Sequence, residues 1–421
     1  MISNFAFLMR NTLRRLGLRA VFFVLLSIAV VVLASVVDDL LADLTLLRID
    51  RAATETMLSL LASSMLPVTT FALTTMVSSF SAATDNVTPR ATPLVTEDQT
   101  AQNAISVFLG AFIYAVTALV WINLGVFGDE GSLALFVATL AVMVWIVVTF
   151  LRWMDHLSSL VRVDETTKRV ERAAGEALDR WIAHPGLGAR PHGDWGSDAG
   201  FPVSAARDGY VQHIDIGAIA KLADDAGTEI RLDVLPGAYV DRRRTIAATR
   251  RPLGAAEMET LRGALTVTEQ RHFASDFRFG LIVLAEIASR ALSPGINDPG
   301  TAITALAAGT RLLARWFDEP EETAGATSHP AVYAPRLSPD DLLDDFIRPI
   351  ARDGAGILEV AIRLQKMLGI LARAGDGRHA ELVSQHARAA LARSLAALTL
   401  PEDQTVMRAA ASGNALVTRP E

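Results

Sequence analysis

Six hydroxyl side chains within one apolar stretch, Ser59, Ser63, Thr70, Thr74, Ser78 and Ser81, recur at steps of three, four or multiples of these. At about 100° per residue such steps draw one stripe along a helix, with Pro67 on the same side and Met65, Ala72 and Met76 opposite. Proline within a helix removes a backbone hydrogen bond and frees the carbonyl of Ser63, which in lipid must find a partner in a neighbouring helix, a hydroxyl or water. Two readings follow. Small hydroxyl residues let helices approach and bond one another, or they line a wet path through an oligomer, for which Ser63, Pro67, Thr70, Thr74 and Ser78 are the candidate lining. No Asp, Glu, Lys, Arg or His occurs within residues 56–84, so such a path has no fixed charge there and no proton relay.

A second constellation is the stretch "ALSPGINDPGTAI" at residues 291–303, which reads as one helix stopping, a tight turn and another helix starting. Pro294 and Gly295 force the stop. Asp298 before Pro299 is a helix-start signature, because Asp accepts hydrogen bonds from the next turn's amides and proline has no amide to leave unpaired. The turn residues Ser293, Pro294, Gly295, Asn297, Asp298 and Pro299 are either a capped structural corner or a ligand or subunit contact using amides near Gly300 and Thr301.

Arg242, Arg243 and Arg244, followed by Arg250 and Arg251, form the densest basic cluster outside the apolar region. Guanidinium forks match oxyanions in pairs and attract acidic lipid headgroups, so this is a candidate anion or lipid contact, with a solvated loop as the plain alternative. His213 with Asp215, and His379 with His386, are considered as metal pairs, but strand alternation and solvated helix faces explain them as well; no metal site and no cofactor are expected. There is no phosphate loop, no H-E-x-x-H, no G-x-S-x-G elbow and no cysteine at all, so no enzyme is expected.

These residues need elements to hold them. The chain has 421 residues, 51% of them hydrophobic, and a mean hydropathy of +0.32, too apolar for an ordinary soluble protein. The excess lies at the start, where Leu18–Val37, Met57–Phe80, Ala104–Phe127 and Leu133–Leu151 are each long enough to cross a hydrocarbon core of about 30 Å. The first is expected to be a retained anchor, not a cleaved signal. Arg10, Arg14, Arg15 and Arg19 lie before or at the very start of the first span and Arg152, Arg162, Lys168, Arg169 and Arg172 follow the fourth, against Arg48 and Arg51 in the intervening outer loops. Both termini are therefore expected in the cytoplasm, with Gly128–Gly131 outside. The net charge of −7 argues against nucleic acid as a partner.

After the spans, "VDETTKRVERAAGEALDRWIA" reads as a charged helix and "HPGLGARPHGDWGSDAGFP" as a linker. Strands are expected at Tyr210–Ile214, Glu229–Val234, near Ala238–Val240 and near Thr245–Thr249, with a short helix at Ile216–Ala226. From Ala255 onward the pattern is helical, broken by the acidic stretch Asp318–Pro339. The expected fold is α+β: a four-helix transmembrane region (1–155), a charged helix and linker (156–200), a small β-rich domain (201–252) and a mostly α-helical cytoplasmic domain (253–421).

"SPGINDPGTAI", the upstream "GYVQHIDIGAI" and "LPGAYV", and "ATDNVTPR" followed by "FLGAFIYA" together resemble the bacterial membrane-protein family known as domain of unknown function two-two-five-four, over nearly the whole chain. One departure is the segment "TVTEQRHFASDFRFG", with His272 and Ala274 where the family is more acidic and polar. The resemblance implies a multi-pass inner-membrane protein with a cytoplasmic domain and implies no established reaction. The polar second span favours an oligomeric channel or transporter for an ion or small solute, with the bilayer and further copies of the chain as partners; a membrane-anchored scaffold or signalling module is the alternative.

Overall fold

The computed structural model describes residues 16–41, 50–86, 88–96, 99–125, 133–160, 163–319 and 327–412. Gly128–Gly131 and Arg10, Arg14, Arg15, Arg48 and Arg162 lie outside the described residues. The chain divides into two compact units, one from Leu8–Asn86 and Thr92–Glu165, the other from Thr166–Glu421 with Val87–Ala91 and Met1–Phe7.

The apolar unit contains α1 (Leu16–Leu41), α2 (Arg51–Asn86), the short α3 (Thr92–Thr96), α4 (Gln99–Asn123) and α5 (Leu133–Leu160). Among the described residues three stretches, Arg51–Ser79, Thr100–Asn123 and Leu133–His156, are long and apolar enough to cross a membrane. The first expected span falls within α1, whose described apolar stretch is the shorter Val24–Ala34. Helices α1, α2 and α5 all pack on α4, whose Phe108, Tyr114, Ala115 and Ala118 are fully buried. Where lipid is as apolar as leucine, close approach and hydrogen bonds must hold helices together. Accordingly the Ser27 hydroxyl donates to the Gly110 carbonyl at 2.8 Å, and the Tyr114 and Thr139 hydroxyls lie 2.9 Å apart. Arg51 donates to the carbonyl of Ile122 at 2.8 Å, satisfying one of the carbonyls that every helix leaves open at its C-terminus.

In the second unit α6 (Val163–Ala183) leads into the strands of the described residues: β1 (Ala189–Pro191), β2 (Phe201–Ser204), β3 (Gly209–Ile214), β4 (Ile230–Leu232), β5 (Tyr239–Val240), β6 (Thr245–Thr249), β7 (Leu265–Thr268) and β8 (His329–Ala334). They form a five-stranded sheet, β1-β8-β4-β6-β2, and a three-stranded sheet, β5-β3-β7. The pairs of β8 with β1 and β4 are parallel and the other pairs antiparallel. Between β3 and β4 lies α7 (Ile216–Ala226), capped by Asp215 and closed by a left-handed Gly227. Its Ile216, Ile219 and Leu222 join Val211, Ile230, Leu232 and Ile246 in one core.

The remaining helices are α8 (Ala255–Gly263), α9 (Phe277–Ala291), α10 (Pro299–Asp318), α11 (Pro339–Asp353), α12 (Leu358–Leu371), α13 (Ala380–Ala397) and α14 (Pro401–Ser412). Helix α9 packs on α10 and α11, and α12 on α10, α13 and α14. Besides β2 and β7, the latter within the stretch read as helical from Ala255 onward, two further features depart from the sequence reading. Strand β8 comes from the stretch read as a break between helices, and the stretch read as a linker contains β1 and Trp195, which is 2% exposed. A strand covered on both faces lacks the alternation that marks half-buried ones, and in β8 Val332, Tyr333 and Ala334 are all buried.

Candidate functional site

Helix α2 runs unbroken through Pro67. It buries Leu58, Leu61, Met65, Ala72 and Met76, while Ser59, Ser63, Pro67, Thr70, Thr74, Ser78 and Ser81 are all exposed. The five candidate lining residues thus share one outward face, opposite the methionines as their spacing requires. By the same angular reckoning Leu66, Leu73 and Val77 border the stripe on one side, and Leu60 and Phe71 on the other; all five are exposed. Several α2 hydroxyls are satisfied by carbonyls one turn back: Ser63 on Leu60 at 3.1 Å, Thr70 on Leu66 at 3.0 Å and Thr75 on Phe71 at 2.8 Å. This back-bonding makes a hydroxyl tolerable in an apolar setting. Packing within the chain uses the opposite face.

The corner between α9 and α10 is built from its own backbone. The Asn297 amide donates to the Ser293 carbonyl at 2.8 Å and the Asp298 amide to the Ala291 carbonyl at 2.8 Å. Asn297 has a positive φ of 49°, a conformation that asparagine tolerates better than most residues. The Asp298 carboxylate accepts the Thr301 amide at 3.0 Å and the Thr301 hydroxyl at 2.6 Å, and these bonds hold its pKa below the usual carboxylate range. A fixed negative group therefore already serves the amides that an anion would need. Pro294, Gly295, Ile296, Asn297 and Asp298 are exposed, with Ser293 and Pro299 half-buried.

The five arginines do not act as one cluster. Arg250 lies 3.7 Å above the Trp195 ring and pairs with Asp198 at 3.1 Å and Glu229 at 3.3 Å. Arg251 grips Glu257 through two bonds and donates to the Ala226 carbonyl; its guanidinium holds the Glu257 carboxyl down to about 2. Both are committed to holding the fold. Arg242, Arg243 and Arg244 are exposed in the turn between β5 and β6, their amides donating to Asp208 and Asp241.

The histidine pairs also separate. Asp215 spends its carboxylate on the Ala218 amide at 3.0 Å, while His213 sits on β3, 9% exposed. His379 packs against Trp316 and Phe317, whereas His386 lies 3.1 Å from Asp340. Two relationships had no sequence signal beyond the motifs containing them. Gly237 of "LPGAYV", at φ +94°, leaves no space for a side chain beside Asp276 and Arg271, which form an ion pair at 2.7 Å. In "ATDNVTPR" the Thr88 hydroxyl donates to Glu286 of α9 at 2.9 Å and Arg90 pairs with the same carboxylate.

Apolar helices of spanning length followed by an α+β unit define a membrane protein. The chain belongs to the family described as "Predicted membrane protein (DUF2254)", whose model matches residues 13–369. It is similar to an uncharacterized protein of Mycobacterium tuberculosis (strain H37Rv) and to one of Mycobacterium bovis. Each is 29% identical over 192 residues, covering 41% of this chain and 33% of the relative. The chain thus aligns with about a third of the length of these curated relatives. No solved structure matches.

Proposed function

We propose that the chain is a four-span inner-membrane protein with both termini in the cytoplasm, that several copies surround an axis lined by α2, and that the oligomer passes an ion or small solute. The α+β unit then serves assembly or gating and carries out no catalysis. One observation carries the reading: Ser63, Pro67, Thr70, Thr74 and Ser78 form an exposed stripe that, among the described residues, no other helix of the chain covers. A hydroxyl stripe facing lipid gains nothing from it, whereas one facing water or another copy does.

The test is ion flux through liposomes containing the purified protein, with oligomer size measured in parallel. Thr74→Leu should block flux with the oligomer intact, and Thr74→Asp should raise cation preference. If Thr74→Leu disrupts assembly instead, the stripe is a packing seam. A wild type that passes no ions across several potentials and is monomeric in detergent and lipid leaves the alternative, a membrane-anchored scaffold or signalling module. That second reading draws on the exposed α9–α10 corner, whose Ile296 is 44% exposed.

A further inference from the structure

The first half of α11 carries four aspartates, Asp340, Asp341, Asp344 and Asp345, which at this spacing are two i,i+4 pairs on adjacent helix faces. The two pairs meet different partners. Asp341 and Asp345 both bind Arg278 of α9, a permanent cation whose fork suits carboxylates. Asp340 and Asp344 instead face His386, which arrives from α13 and whose side chain is only 12% exposed. Its Nε2 lies 3.1 Å from an Asp340 oxygen and its Nδ1 3.8 Å from an Asp344 oxygen. Arg348 also stands at this face, paired with Asp344 one turn along α11 and itself 61% exposed.

The type of partner separates the two faces. Around Arg278 two carboxylates meet a full positive charge held between α9 and α11. Around His386 two carboxylates meet a ring whose nitrogens are metal-ligand atoms, and Asp344 also pairs with the exposed Arg348. One ligand atom from each of Asp340, Asp344 and His386 lies within 4.8 Å of the others. Ligands about 2.0–2.2 Å from a tetrahedral ion stand roughly 3.3 Å apart, so small side-chain rotations close the set.

We propose that Asp340, Asp344 and His386 form a divalent-cation site, of the zinc type suited to mixed nitrogen and oxygen ligands, that fastens α11 to α13. The cation does for this pair of aspartates what Arg278 does for its neighbour. Water completes the coordination, because Asp340 is 63% exposed on the open side. Any proton on the ligating nitrogen leaves to solvent as the ion binds.

The full-length protein in detergent, stripped with chelator, would be titrated with Co²⁺, read by its visible absorption, and then with Zn²⁺ in competition. The expected result is one saturable ion per chain, weakened at least about ten-fold in Asp340→Asn and in His386→Gln. Zn²⁺ should raise the melting temperature of the wild type and leave that of Asp340→Asn unchanged. Because Asp340 is largely exposed, Asp340→Asn should melt with the wild type in chelator, which separates a lost ligand from a damaged fold. Absence of saturable Co²⁺ binding in the wild type, or equal affinity in the wild type and both variants, overturns the proposal and leaves an ion-paired clasp only.

Discussion

The Asp298 carboxylate accepts both the backbone amide and the side-chain hydroxyl of Thr301, at 3.0 and 2.6 Å. One side chain thereby closes the start of α10 from a turn whose own bonds reach back into α9. Asp298→Ala should lower stability by about 0.5–2 kcal/mol, measured by thermal melting of the full-length protein, and Pro294→Ala should cost less, since its side chain is exposed and the backbone bonds remain. The pH dependence has a fixed sign. The folded pKa of Asp298 is depressed, so its contribution is complete above the unfolded carboxylate pKa and is lost as pH falls through the folded value. Wild type and Asp298→Ala should therefore converge in acid.

The Asp276 side chain, 3% exposed, is paired with Arg271, 17% exposed, beneath the Gly237 turn. Arg271→Ala leaves a buried carboxylate without its cation and should cost about 3–5 kcal/mol, while Arg271→Gln combined with Asp276→Asn should be much milder. Burial already pushes the Asp276 carboxyl up. Without Arg271 it rises further, so the deficit of Arg271→Ala should shrink as pH falls and the group becomes neutral. Gly237→Ala places a Cβ 2.3 Å from an Asp276 oxygen at a positive φ and should cost more than about 1 kcal/mol. Denaturant melts across a pH series check all three; an Arg271→Ala protein as stable as wild type at neutral pH would refute the buried-pair account.

What the sequence made legible was local. Helix α7 could be placed at Ile216–Ala226 because Asp215 and Gly227 mark its two ends, and α10 because Asp298 and Pro299 mark its start. The two faces of α2 followed from angular spacing alone. Features that depend on distant partners were not legible. Strand β8 gains its neighbours β1 and β4 from residues roughly 100 or more positions earlier, and its short apolar run has no period of its own. His386 was weighed against His379, seven residues away, because sequence shows neighbours along a helix; its partners Asp340 and Asp344 stand on another helix. The five arginines read as one cluster because charge density ignores which guanidinium lies over Trp195 and which grips Glu257.

Two glycines set how closely the helices approach. A Cβ on Gly280 of α9 would lie 2.4 Å from that of Ala174 in α6, and one on Gly309 of α10 would lie 2.1 Å from the ring of Phe346 in α11. Phe346 is fully buried and has nowhere to swing, so Gly309→Ala should cost about 1–3 kcal/mol by overpacking. Phe346→Leu should recover part of that loss when combined with Gly309→Ala, although it is destabilising alone. A double-mutant cycle on melting free energies measures the coupling; simple additivity would show that the ring is not the obstacle.

The Arg51 guanidinium donates to the Ile122 carbonyl, so the start of α2 and the end of α4 lie at one end of the helical unit. On the proposed topology that end lies outside, because Arg48 and Arg51 are few against the arginines and lysine at or before the first expected span and after the fourth. The Gly128–Gly131 loop, which follows α4 in the chain, should then face outward, and Ser3 and Ser197 inward. Since the chain has no cysteine, single substitutions Ser3→Cys, Gly131→Cys and Ser197→Cys each create a lone thiol for a membrane-impermeant reagent applied to intact cells. Only Gly131→Cys should be labelled before the cells are broken, and all three afterwards. Labelling of Ser3→Cys or Ser197→Cys in intact cells with Gly131→Cys silent would invert the topology, and an odd number of spans would show as Ser3→Cys and Ser197→Cys reacting from opposite sides.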